Sequence, residues 1–315
     1  MTRIDANTTA TDQVSGTATT RQTLLSTQFM RQLDRLDVLS RKILAGTLPG
    51  ERRSKRRGQS VEFADYRNYV AGDDLRFIDW NLYARLDRLF LRLFMEEEDL
   101  SVSIVLDTSA SMDFGSTRKS NYGKQLAAAL GYVGLVNQNR VSMYGFADSI
   151  EDELPNMRGR RPIPQMLDFL ARQQSAGAGD LVAACRQFAM AQRAKGVVIL
   201  ISDFLEKGDL TEALRYLRGD RYDVYALQVL APEELDPVKA NLAGDLRLRD
   251  VEDGDVAEVS ISAALLKRYK ATVQAYCQHV RDLCVRRDIT YLMTDTAVPF
   301  EQVVLRYLRQ RGLLG

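Results

Sequence analysis

Histidine is almost absent from this chain: of 315 residues, one is histidine, His279. That excludes zinc centres built on several imidazoles. It also leaves a serine hydrolase almost nothing to use as its base. Cysteine is scarce as well, with three in all. Cys277 and Cys284 stand seven apart in a segment that reads as helix. That spacing separates them by about 10.5 Å along the axis, beyond the roughly 7 Å a disulfide spans. Free thiols fit a reducing cytoplasm. An excess of charge of either sign is missing too, since 43 Lys and Arg face 42 Asp and Glu. A chain that binds nucleic acid by bulk positive charge is thereby excluded. Long apolar runs do not occur. The strongest, Val197 to Ile201, has the length of a strand, far short of the ~18 residues of a membrane span. Residues 1–22 are Thr-rich and polar, without the apolar stretch of a signal peptide, and are expected to be a disordered tail.

What is present is an ordered alternation. Within 23–50, Leu25, Phe29, Leu33, Leu36 and Ile43 recur on one helical face from Leu24 to Leu44. Gly46 and Pro49-Gly50 end that pattern. Residues 51–99 form a second zone, rich in charge and aromatics and expected to be β-rich. It opens on the most basic run of the chain, Arg52, Arg53, Lys55, Arg56 and Arg57, and it carries a turn at Ala71-Gly72-Asp73 between two expected strands. From 100 to 315, strand-length apolar runs alternate with amphipathic helices. Strands are expected at Ser103–Leu106, Val141–Ala147, Val197–Ser202, Val224–Leu230 and Ile289–Met293. Helices are expected at Lys119–Val136, Ile163–Gln174, Leu181–Ala194, Leu210–Leu217, Ala263–Arg286 and Phe300–Arg309. A β-like insertion lies near 244–261. Strands alternating with helices predict an α/β fold, a mostly parallel sheet flanked by helices.

The chemistry gathers where the first of these strands ends, at Asp107-Thr108-Ser109-Ala110-Ser111-Met112. In an open α/β sheet the loops beyond the strand C-termini carry the ligand site. Asp107, Ser109 and Ser111 offer one carboxylate and two hydroxyls, hard oxygen donors of the kind Mg²⁺ takes. A second strand ends the same way at Ser202-Asp203, so Asp203 is expected at the same edge. An open coordination position would be left for an acidic side chain of a partner.

Asp107-x-Ser109-x-Ser111 after a buried strand, with Ser202-Asp203 about a hundred residues on, resembles the von Willebrand factor A domain and its metal-ion-dependent adhesion site. The segment from Glu62 to Asn81, with Arg67, Asp73, Asp74, Arg76, Asp79 and Trp80, resembles the signature of the DUF58 family, and this resemblance covers roughly Leu33 to the C-terminus. It implies a small β-rich module before a von Willebrand factor A-like, Rossmann-type domain. It implies Mg²⁺ as the ion, a non-enzymatic adaptor role, and a MoxR-type AAA+ ATPase as partner in chaperone-like maturation or remodelling of a client protein. The chain departs from the A-domain pattern at Gly177-Ala178-Gly179-Asp180-Leu181: Gly179 stands where a Thr ligand is expected, and Asp180 is the candidate to compensate.

Arg67, Asp73, Asp74, Arg76, Asp79 and Arg85, near Trp80, Tyr66 and Tyr69, read as ion pairs tying the small module to the larger domain, and as a partner surface. The basic run at 52–57 reads as a solvated loop, and no aromatic platform interleaves with it, so nucleic acid is not expected as partner. No Gly-x-Ser-x-Gly elbow and no phosphate-binding Gly-x-x-x-x-Gly-Lys-Ser/Thr loop occurs. The competing readings are a metal-dependent hydrolase or phosphatase acting through Asp107 and Asp203, and a nucleic-acid binder using the 52–57 run.

Overall fold

The computed structural model describes residues 24–38, 63–70, 72–94, 100–191, 196–206, 208–217, 222–237, 245–249, 256–260 and 263–315. The polar tail and the basic run at 52–57 lie outside the described residues. Two compact units form, one of Gly46–Asp99 and one of Met1–Ala45 with Leu100–Gly315.

Helix α1 (Thr27–Leu33) opens the larger unit. The Ser26 hydroxyl caps it by accepting the Phe29 N–H at 3.2 Å. The apolar spacing predicts a helix to Leu44, but the helix stops at Leu33. Beyond it, Asp37 and Gly315 exchange backbone hydrogen bonds and Val38 bridges to Leu314. Partners from the far end of the chain thus replace the i→i−4 bonds. Leu36 stays buried, so that position of the apolar pattern is satisfied without the helix, and Ile43 lies outside the described residues.

In the small unit, β1 (Phe63–Asn68) and β2 (Phe90–Phe94) pair antiparallel. The turn at Gly72 forms, with φ +102°. It does not lead straight into the second strand, however. A short 3₁₀ turn at Leu75–Phe77 and helix α2 (Trp80–Leu86) intervene. The reason is Asp79, whose Oδ1 accepts the Asn81 and Leu82 N–H groups at 3.0 and 3.1 Å and nucleates the helix.

The larger unit runs β3 (Ser101–Asp107), α3 (Lys119–Val136), β4 (Arg140–Phe146), β5 (Ile150–Met157), α4 (Ile163–Arg172), α5 (Leu181–Ala191) and β6 (Gly196–Ser202). It continues through α6 (Leu210–Tyr216), β7 (Tyr222–Leu230) and α7 (Pro232–Leu235) to the antiparallel hairpin of β8 (Asp245–Arg249) and β9 (Val256–Ser260). Helix α8 (Ala263–Val285) and β10 (Thr290–Asp295) follow, and a last helical stretch from Phe300 to Leu308 widens into π-type winding. Six strands make one sheet in the order β10-β7-β6-β3-β4-β5, parallel except for the β4–β5 hairpin. This is the mostly parallel, helix-flanked α/β sheet that the alternation predicts. The predicted pattern omits β5. Its Glu151, Asp152 and Glu153 face solvent and Pro155 sits within it, which only an edge strand tolerates.

The central strands are buried on both faces, which is why they read as unbroken apolar runs. Val102, Ile104 and Leu106 of β3 and Val197, Ile199 and Ile201 of β6 face one core with α1, α3 and α4. Val105, Val198 and Leu200 face the other, with α5, α6 and α8. Helix α3 lies so close to the sheet that a Cβ at Gly134 would come 2.7 Å from Val141 Cγ2.

Candidate functional site

Strand order reverses at β3. The chain moves from β3 to β4 on one side, then returns to β6 on the other. The loops leaving the C-termini of β3 and β6 therefore diverge and leave a crevice, the place where such sheets bind ligands. Leu106 pairs with Ile201 in the ladder, so Asp107 and Ser202, the next residues of each strand, emerge side by side on the same face.

Asp107 is buried, and both its oxygens are engaged. Oδ1 accepts the Ser109 N–H at 2.9 Å, and Oδ2 accepts the Ser202 hydroxyl at 2.6 Å. Burial, and next the nearby Asp203 carboxylate, push its pKa up from 3.8 to about 6. The Ser109 and Ser111 hydroxyls lie 3.0 Å apart and hydrogen-bond to each other.

Asp203 is 1% exposed and does not face an open position. Its Oδ2 accepts a hydrogen bond at 2.6 Å from the ammonium of Lys119, the first residue of α3. Lys119 is 0% exposed and reaches Glu234 Oε1 of α7 at 2.5 Å. Burial works against that ammonium, but the carboxylates of Asp203 and Glu234 outweigh it and hold its pKa above the ordinary lysine value. Glu234 is fixed in turn by the Ala231 N–H, which donates to its Oε2 at 2.8 Å. Strain aims this loop: Phe204, bulky and buried, has φ +56°. Gln228 Nε2 donates to the Asp203 carbonyl at 2.7 Å, and the Tyr276 hydroxyl donates to that of Phe204.

The loop expected to hold the missing Thr reaches the site. The Ala110 N–H donates to the Gly177 carbonyl at 3.0 Å, and a Cβ on Gly179 would stand 3.5 Å from Ser109 Oγ. Asp180 turns away. It is exposed, and its Oδ1 accepts the Ala183 N–H at 2.8 Å, capping α5. Glu206 comes nearer, with Oε2 4.0 Å from that same Cβ position while it accepts the Leu181 N–H at 2.7 Å.

Asp107, Ser109, Ser111 and Asp203 thus meet at one edge, and Asp180 does not join them. Lys119, Glu234 and Glu206 escape a reading by motif. A lysine at the first position of α3 was the available signal, because a cation there opposes the helix dipole. The donor set does not fit a resident octahedral Mg²⁺. Asp203 is paired with an ammonium, and position 179 has no side chain to offer. Among the described residues no three His, Cys, Asp or Glu side chains are grouped to hold an ion.

In the small unit the expected partner residues divide. Arg67 bridges Asp73 at 2.8 Å, Arg76 bridges Asp74 at 2.6 Å, and Arg92 bridges Asp79 at 2.8 Å, each pair inside that unit. Asp79 is a structural hub. Besides capping α2, its Oδ2 accepts hydrogen bonds from Arg92 and from the Tyr66 hydroxyl. Trp80 is 61% exposed and meets Tyr83 edge-to-face at 6.2 Å, and Arg85 is exposed nearby.

A family model described as a protein of unknown function, DUF58, matches residues 65–279. An uncharacterised protein of Mycobacterium bovis is 30% identical over 246 residues, covering 76% of this chain and 76% of that protein. Uncharacterised proteins of two Mycobacterium tuberculosis strains match to the same extent. Among solved structures, a von Willebrand factor type A protein of Catenulispora acidiphila is similar at 12% identity and TM-score 0.41, over 71% of this chain and 43% of that one. An aerotolerance-related membrane protein of Bacteroides fragilis is similar at 15% identity and TM-score 0.39, over 67% and 99%. Among the described residues no helix is long and apolar enough to cross a membrane.

Proposed function

The chain belongs to the DUF58 family, and on that premise we propose that it is a non-enzymatic adaptor that presents two contact features to partner proteins. One is the half-buried hydroxyl of Ser111 at the sheet edge, backed by that of the buried Ser109. The other is the Leu75–Leu86 segment of the small unit. The observation that carries this reading is the apolar exposure of that segment. Leu75, Phe77, Trp80, Tyr83 and Leu86 are all at least 40% exposed, between the charged side chains of Asp74, Arg76 and Arg85. Clustered exposed apolar side chains fringed by charge mark protein contact surfaces, and Trp, Tyr and Arg supply most of the binding energy at such surfaces. At the sheet edge, the pairing of Asp203 with the Lys119 ammonium and the absence of a nucleophile–base pair in the sequence motifs support holding over turnover.

The partner class follows from the resemblance: a MoxR-type AAA+ ATPase, with this chain linking it to a client protein in chaperone-like maturation. The test is capture of such an ATPase from native cytosol on immobilised protein. Trp80→Ala is expected to lower capture on the order of tenfold or more while leaving the circular dichroism spectrum unchanged. Equal capture by both proteins removes the Leu75–Leu86 segment from the proposal. Hydrolysis of a generic phosphoester or ester that disappears with Asp107→Ala would replace the adaptor reading by an enzymatic one.

A further inference from the structure

We propose that the ammonium of Lys119 is the built-in cation of the sheet-edge site, standing in place of a divalent ion, so that contacts made at this edge do not depend on metal. The inference concerns the same edge as the adaptor reading, but its argument and its test involve no partner.

Lys119 is, among the described residues, the one basic side chain that is buried. A buried ammonium persists only when carboxylates pair with it, since the desolvation cost is otherwise prohibitive. Its contacts of 2.6 Å to Asp203 and 2.5 Å to Glu234 are charge-assisted hydrogen bonds. They draw carboxylates from the end of β6 and from α7 onto one positive centre, which is what a divalent ion does in such a crevice. The surroundings are built to keep the ammonium there. Helix α7 carries Glu234, and α7 is anchored on both sides of the site: Glu233 Oε1 accepts the Ser116 N–H at 3.1 Å, and Asp236 pairs with Lys270 at 2.8 Å. Phe114 lies over the ammonium, with its ring centre 5.9 Å from Nζ. A Mg²⁺ ion needs near-octahedral oxygen coordination at about 2.0–2.1 Å. The carboxylate best placed to attract it is already discharged by Lys119, and the fixed positive charge beside it repels a second cation. The loss of a side chain at Gly179 is then coherent with the rest: a site with its own cation has no use for a Thr ligand.

Titration of the wild-type protein with millimolar Mg²⁺, by calorimetry and by thermal melting, is expected to show neither saturable heat nor a shift in Tm. Lys119→Met combined with Glu234→Gln removes the ammonium and one of its two carboxylates, leaving Asp203 to attract an ion. That variant is expected to bind Mg²⁺ at one site, saturating on the order of tenfold or more below the concentration at which wild type shows no binding, and to lose the ion when Asp203→Asn is added. Saturable binding by wild type that Ser111→Ala abolishes overturns the proposal, as does a folded double variant with no gain. If the double variant does not fold in buffer, refolding in Mg²⁺ decides. Recovery of structure with the ion supports the proposal, and no recovery overturns it. Loss of partner capture in the adaptor experiment leaves these ion titrations unaffected, so the two proposals fail separately.

Discussion

One ion pair from each unit shows how depth decides what a charge contributes. In the larger unit the Lys119–Asp203 pair is 0% and 2% exposed in its side chains; in the small unit the Arg76–Asp74 pair is 68% and 40% exposed. Both are contacts of 2.6 Å. Distance therefore does not distinguish them; depth does. In water a pair at that separation is screened and gains little. Inside the protein the same pair is strong, and either partner left alone is an uncompensated charge. Apolar side chains show the same division. The larger unit seals Ile199 and Leu200 at 0% exposure, while the small unit leaves Trp80 at 61%. The Lys119 pair holds a site together, and the Arg76–Asp74 pair borders a surface.

The sharpest way to break this comparison is Lys119→Met. It strands the Asp203 and Glu234 carboxylates and is expected to cost about 3–5 kcal/mol in urea unfolding. A loss under about 1 kcal/mol would place the pair with exposed ones. Acid titration should separate the units by sign. Asp107 has a folded pKa raised from 3.8 to about 6, so its burial costs nothing below pH 3.8 and destabilises as pH rises to about 6. Asp107→Asn should remove roughly 2–3 kcal/mol of that fall, followed by unfolding across pH 4 to 6. Asp79 goes the other way. Arg92 above all, and then the Leu82 N–H, hold its pKa down from 3.8 to about 2, so its contribution is present above pH 3.8 and vanishes as pH drops towards 2. Asp79→Ala should flatten that acid limb, read by tryptophan fluorescence of Trp80, the single tryptophan of the chain. A smaller effect is expected at Gly179, where φ is +80° and a Cβ would stand 3.1 Å from that of Ser109. Gly179→Thr should lower stability by about 1–2 kcal/mol and gain no Mg²⁺ binding. Smallest of all is Arg76→Ala, which should leave the unfolding midpoint unchanged within error.

Much of the fold was legible because burial on both faces writes itself into composition. Val197 to Ile201 can be little else than a central strand, and β3 and β7 follow the same rule. Where local pattern and distant partner compete, the pattern misleads. Leu36 continues the helical spacing of α1, but two residues on the chain is held by the β-bridge of Val38 to Leu314. The turn at Gly72 promises a hairpin, yet Asp79 starts a helix before β2 can form. At the site, the Asp-x-Ser-x-Ser spacing placed Asp107, Ser109 and Ser111 together because five residues span one loop. Asp203 also came to the same edge, since both acids end buried parallel strands.

The amino-acid order alone determined which strands are central and which loop carries the oxygen donors, for both depend on short-range spacing and on apolar runs. Only the tertiary structure decided what those donors face. Lys119, Asp203 and Glu234 lie 84 and 115 positions apart along the chain from the lysine to its two partners. Their meeting depends on how a helix and two strand ends pack. Whether a carboxylate is a vacant ligand or half of an ion pair is a matter of that packing, because the electrostatics of a buried group are set by whatever lies within a few ångströms of it.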